Sequence, residues 1–209
     1  MLNNFSHRAA LAQIRMFLAV TGVMVLMCWS TQAQGSDERM LAMLSKVPGA
    51  QEMVRRATVG NDPVAMTYLG RMLHEGRDLP RDDAAAFYWF NKAASLNDPE
   101  ACYELGMLYR TGAGVDRDAR AAFRWVRLSA VQGHALAQYW LGLFYEEGSG
   151  IAVDLRKAAT WLREAADKEV AAACYRLGLL YESGRGVEKD EAAAVAWYQK
   201  GAEKGDAEA

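Results

Sequence analysis

The sequence predicts an all-α chain built from repeated helical pairs, and three observations carry that reading. The pair Leu-Gly returns at Leu69-Gly70, Leu105-Gly106, Leu141-Gly142 and Leu177-Gly178, a constant step of 36 residues. Such self-similarity is the signature of a repeat architecture. The chain is rich in alanine and has only four prolines, none after Pro99, a bias toward helix over sheet. Apolar residues make up 52% and charged residues 24%, values of a globular chain with a core and not of a disordered one.

The N-terminus stands apart from this pattern. Arg8 and Arg15 are the only charged side chains before Asp37, and Met16 to Trp29 is an uncharged, mostly apolar run. Residues 1–33 read as a secretory signal peptide, with small residues at Thr31 and Ala33 placing cleavage before Gln34. Fourteen helical residues would cover about 21 Å, short of a hydrocarbon core of roughly 30 Å, so a retained anchor is the weaker alternative. Cys28 at the end of the run offers a lipoprotein signal as another alternative, against which Met27 stands where a small residue is required. Export to a bacterial periplasm or to the medium is the expectation, with no stable membrane insertion after cleavage. Without the leader the balance is 22 basic to 26 acidic residues, which argues against a nucleic-acid partner.

The elements then follow in order. Residues 34–61 are expected to be a linker and a capping helix, since Ala50 to Gly60 resembles a lone second helix with Met53 standing 36 before Trp89. The repeats span 62–97, 98–133, 134–169 and 170–205, and 206–209 begin a fifth. In each, helix A carries a stripe such as Ala101, Leu105, Gly106 and Tyr109, with Asp98-Pro99 as cap and first helical residue. Gly112-Ala113-Gly114 ends it and Asp118 caps helix B. The recurring glycine of helix A is expected to allow close approach, with the recurring Trp of helix B (Trp89, Trp125, Trp161, Trp197) filling the space beside it. In repeat 1, Asp78 replaces the second loop glycine, so that turn is expected to differ. Cys102 and Cys174 lie two repeats apart, roughly 20 Å for helices packed at 8–10 Å, and are expected to be buried thiols and not a disulfide.

The string Ala-x-x-x-Leu-Gly-x-x-Tyr-x-x-Gly-x-Gly-Val followed by Asp, Ala and Trp resembles the Sel1-like repeat, a relative of the tetratricopeptide repeat. Repeat 4 carries it most fully, in Ala173, Leu177, Gly178, Tyr181, Gly184, Gly186, Val187, Asp190, Ala194 and Trp197. The resemblance covers 62–205 and implies a right-handed α-solenoid of four 36-residue helix-turn-helix repeats. It also implies an adaptor role in protein–protein interaction. Cysteine-rich members that bind or hydrolyse β-lactams carry a cysteine pair in each repeat, a pattern this chain lacks, so an enzyme of that kind is the weaker alternative to a scaffold.

Enzymatic motifs are missing from the sequence: no Ser-x-x-Lys, Gly-x-Ser-x-Gly, His-Glu-x-x-His or phosphate-loop signature occurs. One aspartate per repeat at a helix start is what capping requires, and His74 and His134 lack neighbouring ligands. No catalytic residue, metal or cofactor is therefore expected, and the partner is expected to be another protein or peptide. A helical wheel with Ala101, Leu105 and Tyr109 inward, set in the implied solenoid, turns Tyr68, Arg71, Glu104, Met107, Leu136, Trp140, Leu143, Arg176 and Leu179 toward a concave groove. Trp140 is the outlier of its position and reads either as a binding hot spot or as local packing on Tyr139 or Tyr103. Arg120, Arg124, Arg127, Arg156 and Arg163 form a basic stripe on helices B, either a solvated convex face or a docking site for an acidic partner or a phosphate-bearing surface. Self-association through repeat 4, near Leu177, Tyr181 and Trp197, is the expected alternative of an assembly subunit stacking end to end.

Overall fold

The computed structural model describes residues 50–205; the leader, the linker up to residue 49 and the start of a fifth repeat lie outside the described residues. Among the described residues every regular element is a helix: α1 (Ala50–Thr58), α2 (Pro63–Glu75), α3 (Asp83–Ser95), α4 (Pro99–Thr111), α5 (Ala119–Val131), α6 (Ala135–Glu147), α7 (Leu155–Asp167), α8 (Ala171–Ser183) and α9 (Glu191–Glu203). Each packs on the helices before and after it in sequence, the order of an α-solenoid.

Local chemistry sets the ends of these helices. Asp62 and Asp98 cap α2 and α4, each followed by proline at the first helical position, and Asp82, Asp118, Asp154 and Asp190 cap the B helices. Gly76, Gly112, Gly148 and Gly184 end the A helices in the left-handed conformation. The N–H of each B-helix cap then donates to a carbonyl in the last turn of helix A, from Asp82 to Leu73, Asp118 to Tyr109, Asp154 to Tyr145 and Asp190 to Tyr181, at 2.9 to 3.0 Å. The repeat 1 turn keeps the shared conformation, contrary to expectation: Asp78 has φ +59°. Aspartate is among the few residues that enter this region at modest cost.

The helix A glycine is a notch, but the recurring tryptophan does not fill it. A Cβ on Gly70, Gly106, Gly142 or Gly178 would stand 2.5 to 2.7 Å from Phe90, Val126, Leu162 or Tyr198 respectively. These residues directly follow the tryptophans, which are only half-buried. One residue is 100° of helix, so the two side chains point in different directions.

The core lies between repeats. One apolar cluster joins Phe123, Val126 and Ala130 of α5 to Ala137, Leu141 and Phe144 of α6, and another joins Leu162 and Ala166 of α7 to Cys174, Leu177 and Leu180 of α8. Inside this packing Ser129 Oγ donates to the carbonyl of Pro99 at 2.5 Å and Gln138 Nε2 to that of Ala130 at 3.3 Å, so both side-chain donors are paired. Cys102 and Cys174 are buried, each Sγ 3.9 Å from the carbonyl oxygen eight residues earlier, and burial raises the Cys102 thiol pKa to about 11.

The second loop glycine makes a further joint. A Cβ on Gly114 would stand 2.1 Å from the carbonyl oxygen of Asp83, in the preceding repeat, and Gly150 and Gly186 meet Ala119 and Leu155 in the same way. Gly112 has a similar φ of +81° but nothing within 3.6 Å of its added Cβ. Gly112→Ala is therefore expected to cost only the left-handed penalty of about 1–2 kcal/mol. Gly114→Ala should cost at least ~1 kcal/mol more through overlap with backbone. Denaturant unfolding of both variants checks this, and equal losses would remove the joint from the account.

Candidate functional site

The A helices present one continuous face across the repeats, and its character is mixed. Val64, Tyr68 and Leu136 are exposed at 62%, 47% and 46%. A shallow depression between α2 and α4 is lined by Val64, Thr67, Tyr68, Arg71, Asp98 and Glu100. Arg71 pairs with Glu100 and lies 3.6 Å from Glu104, so a charged link crosses from repeat 1 to repeat 2. Glu100 reaches on to His134 Nε2 at 3.3 Å in repeat 3.

His134 is held at two further points. Its Nδ1 accepts from the N–H of Ala137 at 3.1 Å, making it the N-cap of α6, and its ring stacks on Tyr103 with centroids 4.8 Å apart. An accepting Nδ1 fixes the tautomer with the proton on Nε2, facing Glu100. Reading the histidines as isolated missed this role, although the repeat alignment places His134 in register with the caps Asp62 and Asp98. His74 likewise has a partner, Asp83, with Nδ1 2.7 Å from its carboxylate.

The groove residues expected from the wheel separate into three groups. Tyr68 and Leu136 are exposed; Arg71, Glu104, Met107, Trp140, Arg176 and Leu179 are half-buried. Leu143 is buried at 5% exposure and belongs to the interior, which corrects its placement on the open face. The reason is geometric: α6 packs on both α5 and α7, whereas a wheel carries one inward direction. Of the two readings of Trp140, local packing on Tyr139 is the one observed. Arg110 stacks over its ring at 4.1 Å, Tyr139 meets it edge-on at 5.7 Å, and it rests on the α5–α6 core. The face is thus open at Val64, Tyr68 and Leu136 and charged at Arg71, Glu100 and Glu104.

Of the basic stripe, Arg120, Arg124, Arg127 and Arg156 are exposed. Arg163 is engaged: it donates to Tyr181 Oη and stacks near that ring at 5.9 Å. At the far end Leu177 is fully buried and Tyr181 half-buried, so the surface expected to be open there lies elsewhere. It is on α9, where Val195 is 53% exposed and Ala202 is exposed, whereas Ala94, Ala130 and Ala166 at the matching position are buried.

Among the described residues no three His, Cys, Asp or Glu side chains are grouped to hold a metal ion, and no helix is long and apolar enough to cross a membrane. Burial raises the pKa of Glu104, Arg71 opposes this, and the like charge of Glu100 adds to it. A carboxyl whose folded pKa is raised binds its proton more tightly when folded, so its ionised form costs stability at neutral pH and the cost fades as pH falls through that pKa. Glu104→Gln, which leaves the Arg71–Glu100 pair in place, is expected to raise Tm at pH 7 by about 2 °C. The gain should vanish near about pH 4, where Glu104 is protonated. A lower Tm at pH 7 in thermal unfolding would make the Arg71 attraction the larger effect.

The chain matches the Sel1 repeat model four times, over residues 63–98, 99–134, 135–170 and 171–206. It is similar to a Sel1 repeat protein from Oxalobacter formigenes, with 34% identity over 83% of this chain and 70% of that one, and a TM-score of 0.71. It is also similar to c5321, a protective antigen present in uropathogenic Escherichia coli strains displaying an SLR fold. The identity there is 32%, over 84% of this chain and 40% of the antigen, and the TM-score 0.73. This chain therefore spans less than half of that antigen. No curated protein matches it.

Proposed function

Because the chain belongs to the Sel1 repeat family, we propose that it is a non-enzymatic scaffold, exported through residues 1–33, that presents its A-helix face to a segment of another polypeptide. The observation that carries this reading is the open surface of that face: Val64 and Tyr68 beside the Arg71–Glu100 pair, and Leu136 farther along. Exposed apolar anchors next to oriented charges suit an extended segment or a helix, whose side chains take the apolar positions while its polar groups meet the charged link. A mature N-terminus at Gln34 in protein recovered from a bacterial periplasm supports the export part, and retention of residues 1–33 there contradicts it. For the binding part, a photo-crosslinking residue at position 68 or 136 is expected to capture a polypeptide from an envelope extract. Capture at position 68 should be lost in Leu136→Asp, with helicity unchanged. Equal capture from position 153, an exposed loop site, would refute the assignment to this face.

A second reading, end-to-end stacking of copies, is favoured by α9, whose Val195 and Ala202 lie open where earlier repeats are covered by the next helix A. Tyr181 is unsuited to testing it, since it packs on the α7–α8 core. Val195→Glu leaves that core alone. If copies stack, sedimentation shows mass rising with concentration in the parent and not in the variant; a parent that stays monomeric across the micromolar range excludes stacking.

A further inference from the structure

If the outward faces of the B helices did nothing but meet water, the four would be interchangeable, and α5 is not. At 100° per residue Arg120, Arg124, Arg127, Leu128 and Val131 fall within one arc of about 100°, and all five are exposed. Helices α3 and α9 have no arginine at all, and α7 sets Glu164 and Asp167 where α5 has Leu128 and Val131. Helix α5 contains no acid, and among the described residues no carboxylate lies within 4.0 Å of its three guanidinium groups. The nearest acid in sequence, Asp118, accepts the N–H groups of Arg120 and Ala121 as a helix cap. Long-range attraction of Arg124 and Arg120 to Asp118 is set against repulsion between like charges three and four residues apart, which weakens a helix, so this stripe contributes little to folding.

The residue types point to the ligand. Three arginines and no lysine offer planar guanidinium forks that match carboxylates in pairs. Leu128 and Val131, 36% and 64% exposed, share the arc, and an anion recognised by charge alone would have no use for them. We propose that the outward face of α5 docks an acidic amphipathic helix of a partner polypeptide, its carboxylates on Arg120, Arg124 and Arg127 and an apolar side chain against Leu128 and Val131. From Arg120 to Val131 the face runs about 17 Å, some three turns of such a helix. This face is separate from the A-helix face and does not depend on the reading given for it.

The test uses the full mature chain and a fluorescein-labelled helical peptide of about 14 residues with Glu and Leu in the matching register. Anisotropy is expected to saturate in the micromolar range. The triple variant Arg120→Gln, Arg124→Gln, Arg127→Gln should bind at least tenfold more weakly with unchanged circular dichroism and Tm. Val131→Ser alone should weaken binding severalfold, and Leu136→Asp on the other face should leave it unchanged. A scrambled peptide of the same composition is expected to bind at least fivefold more weakly. Equal binding of the scrambled peptide would reduce the face to a non-specific charge and overturn the proposal. So would tighter binding of a short DNA duplex or of phosphatidylglycerol vesicles, or the absence of any peptide binding.

Discussion

A B helix in this fold seats one side chain in the notch of its own A helix and must bury what remains of its apolar side against the A helix of the following repeat, and the structure as a whole answers to that second contact. The pairing within a repeat is made close by the helix A glycine, with Phe90, Val126, Leu162 or Tyr198 seated in the notch. What that pairing leaves uncovered, Phe123 and Ala130 on α5 or Ala159 and Ala166 on α7, is covered by α6 or α8. A unit of this kind is incomplete alone, and stacking supplies its core. The second loop glycine belongs to the same requirement, because the loop of each repeat must lie against the first residue of the preceding B helix without a Cβ between them.

The constraint also decides where function can reside. Residues that join repeats have little freedom to vary in size, whereas those on the remaining A face and on the outward B face are freer to differ from unit to unit. There the repeats differ: Tyr68, Glu104, Trp140 and Arg176 occupy one position in the four units. The link from Arg71 through Glu100 to His134 crosses three repeats on the A face. It holds side chains in place beside the open apolar ones, which lowers the ordering cost of meeting a partner. A fold gives no activity by itself, so the scaffold proposed above draws its support from these side chains beside the family membership.

Much of this was legible in the sequence, and what was not has a physical explanation. The 36-residue step, the B-helix aspartate caps and the glycine stops fixed the helices, because each depends on local chemistry that recurs in every unit. The notch partner was misread because recurrence singled out the tryptophans, while a notch asks only for an apolar side chain of suitable reach, so Phe, Val, Leu and Tyr all serve. For Trp140 the sequence left a hot spot and local packing both open, because a wheel registers neither Tyr139 edge-on to the ring nor Arg110 reaching across from the preceding repeat to cover it. The role of His134 was hidden by its residue type: capping needs an acceptor, and a neutral imidazole is one. The turn at Asp78 kept its shape because the conformation, and not the glycine, is what the joint between α2 and α3 demands.

If burial between repeats is what holds the chain together, protection must follow it. Native-state hydrogen exchange, read amide by amide, measures this directly. The account predicts slow exchange in α3, α5 and α7, B helices covered on both sides, and the fastest among the B helices in α9, where Val195 and Ala202 are open. Uniform protection from α3 to α9, or α9 as slow as α5, would contradict a core built between repeats.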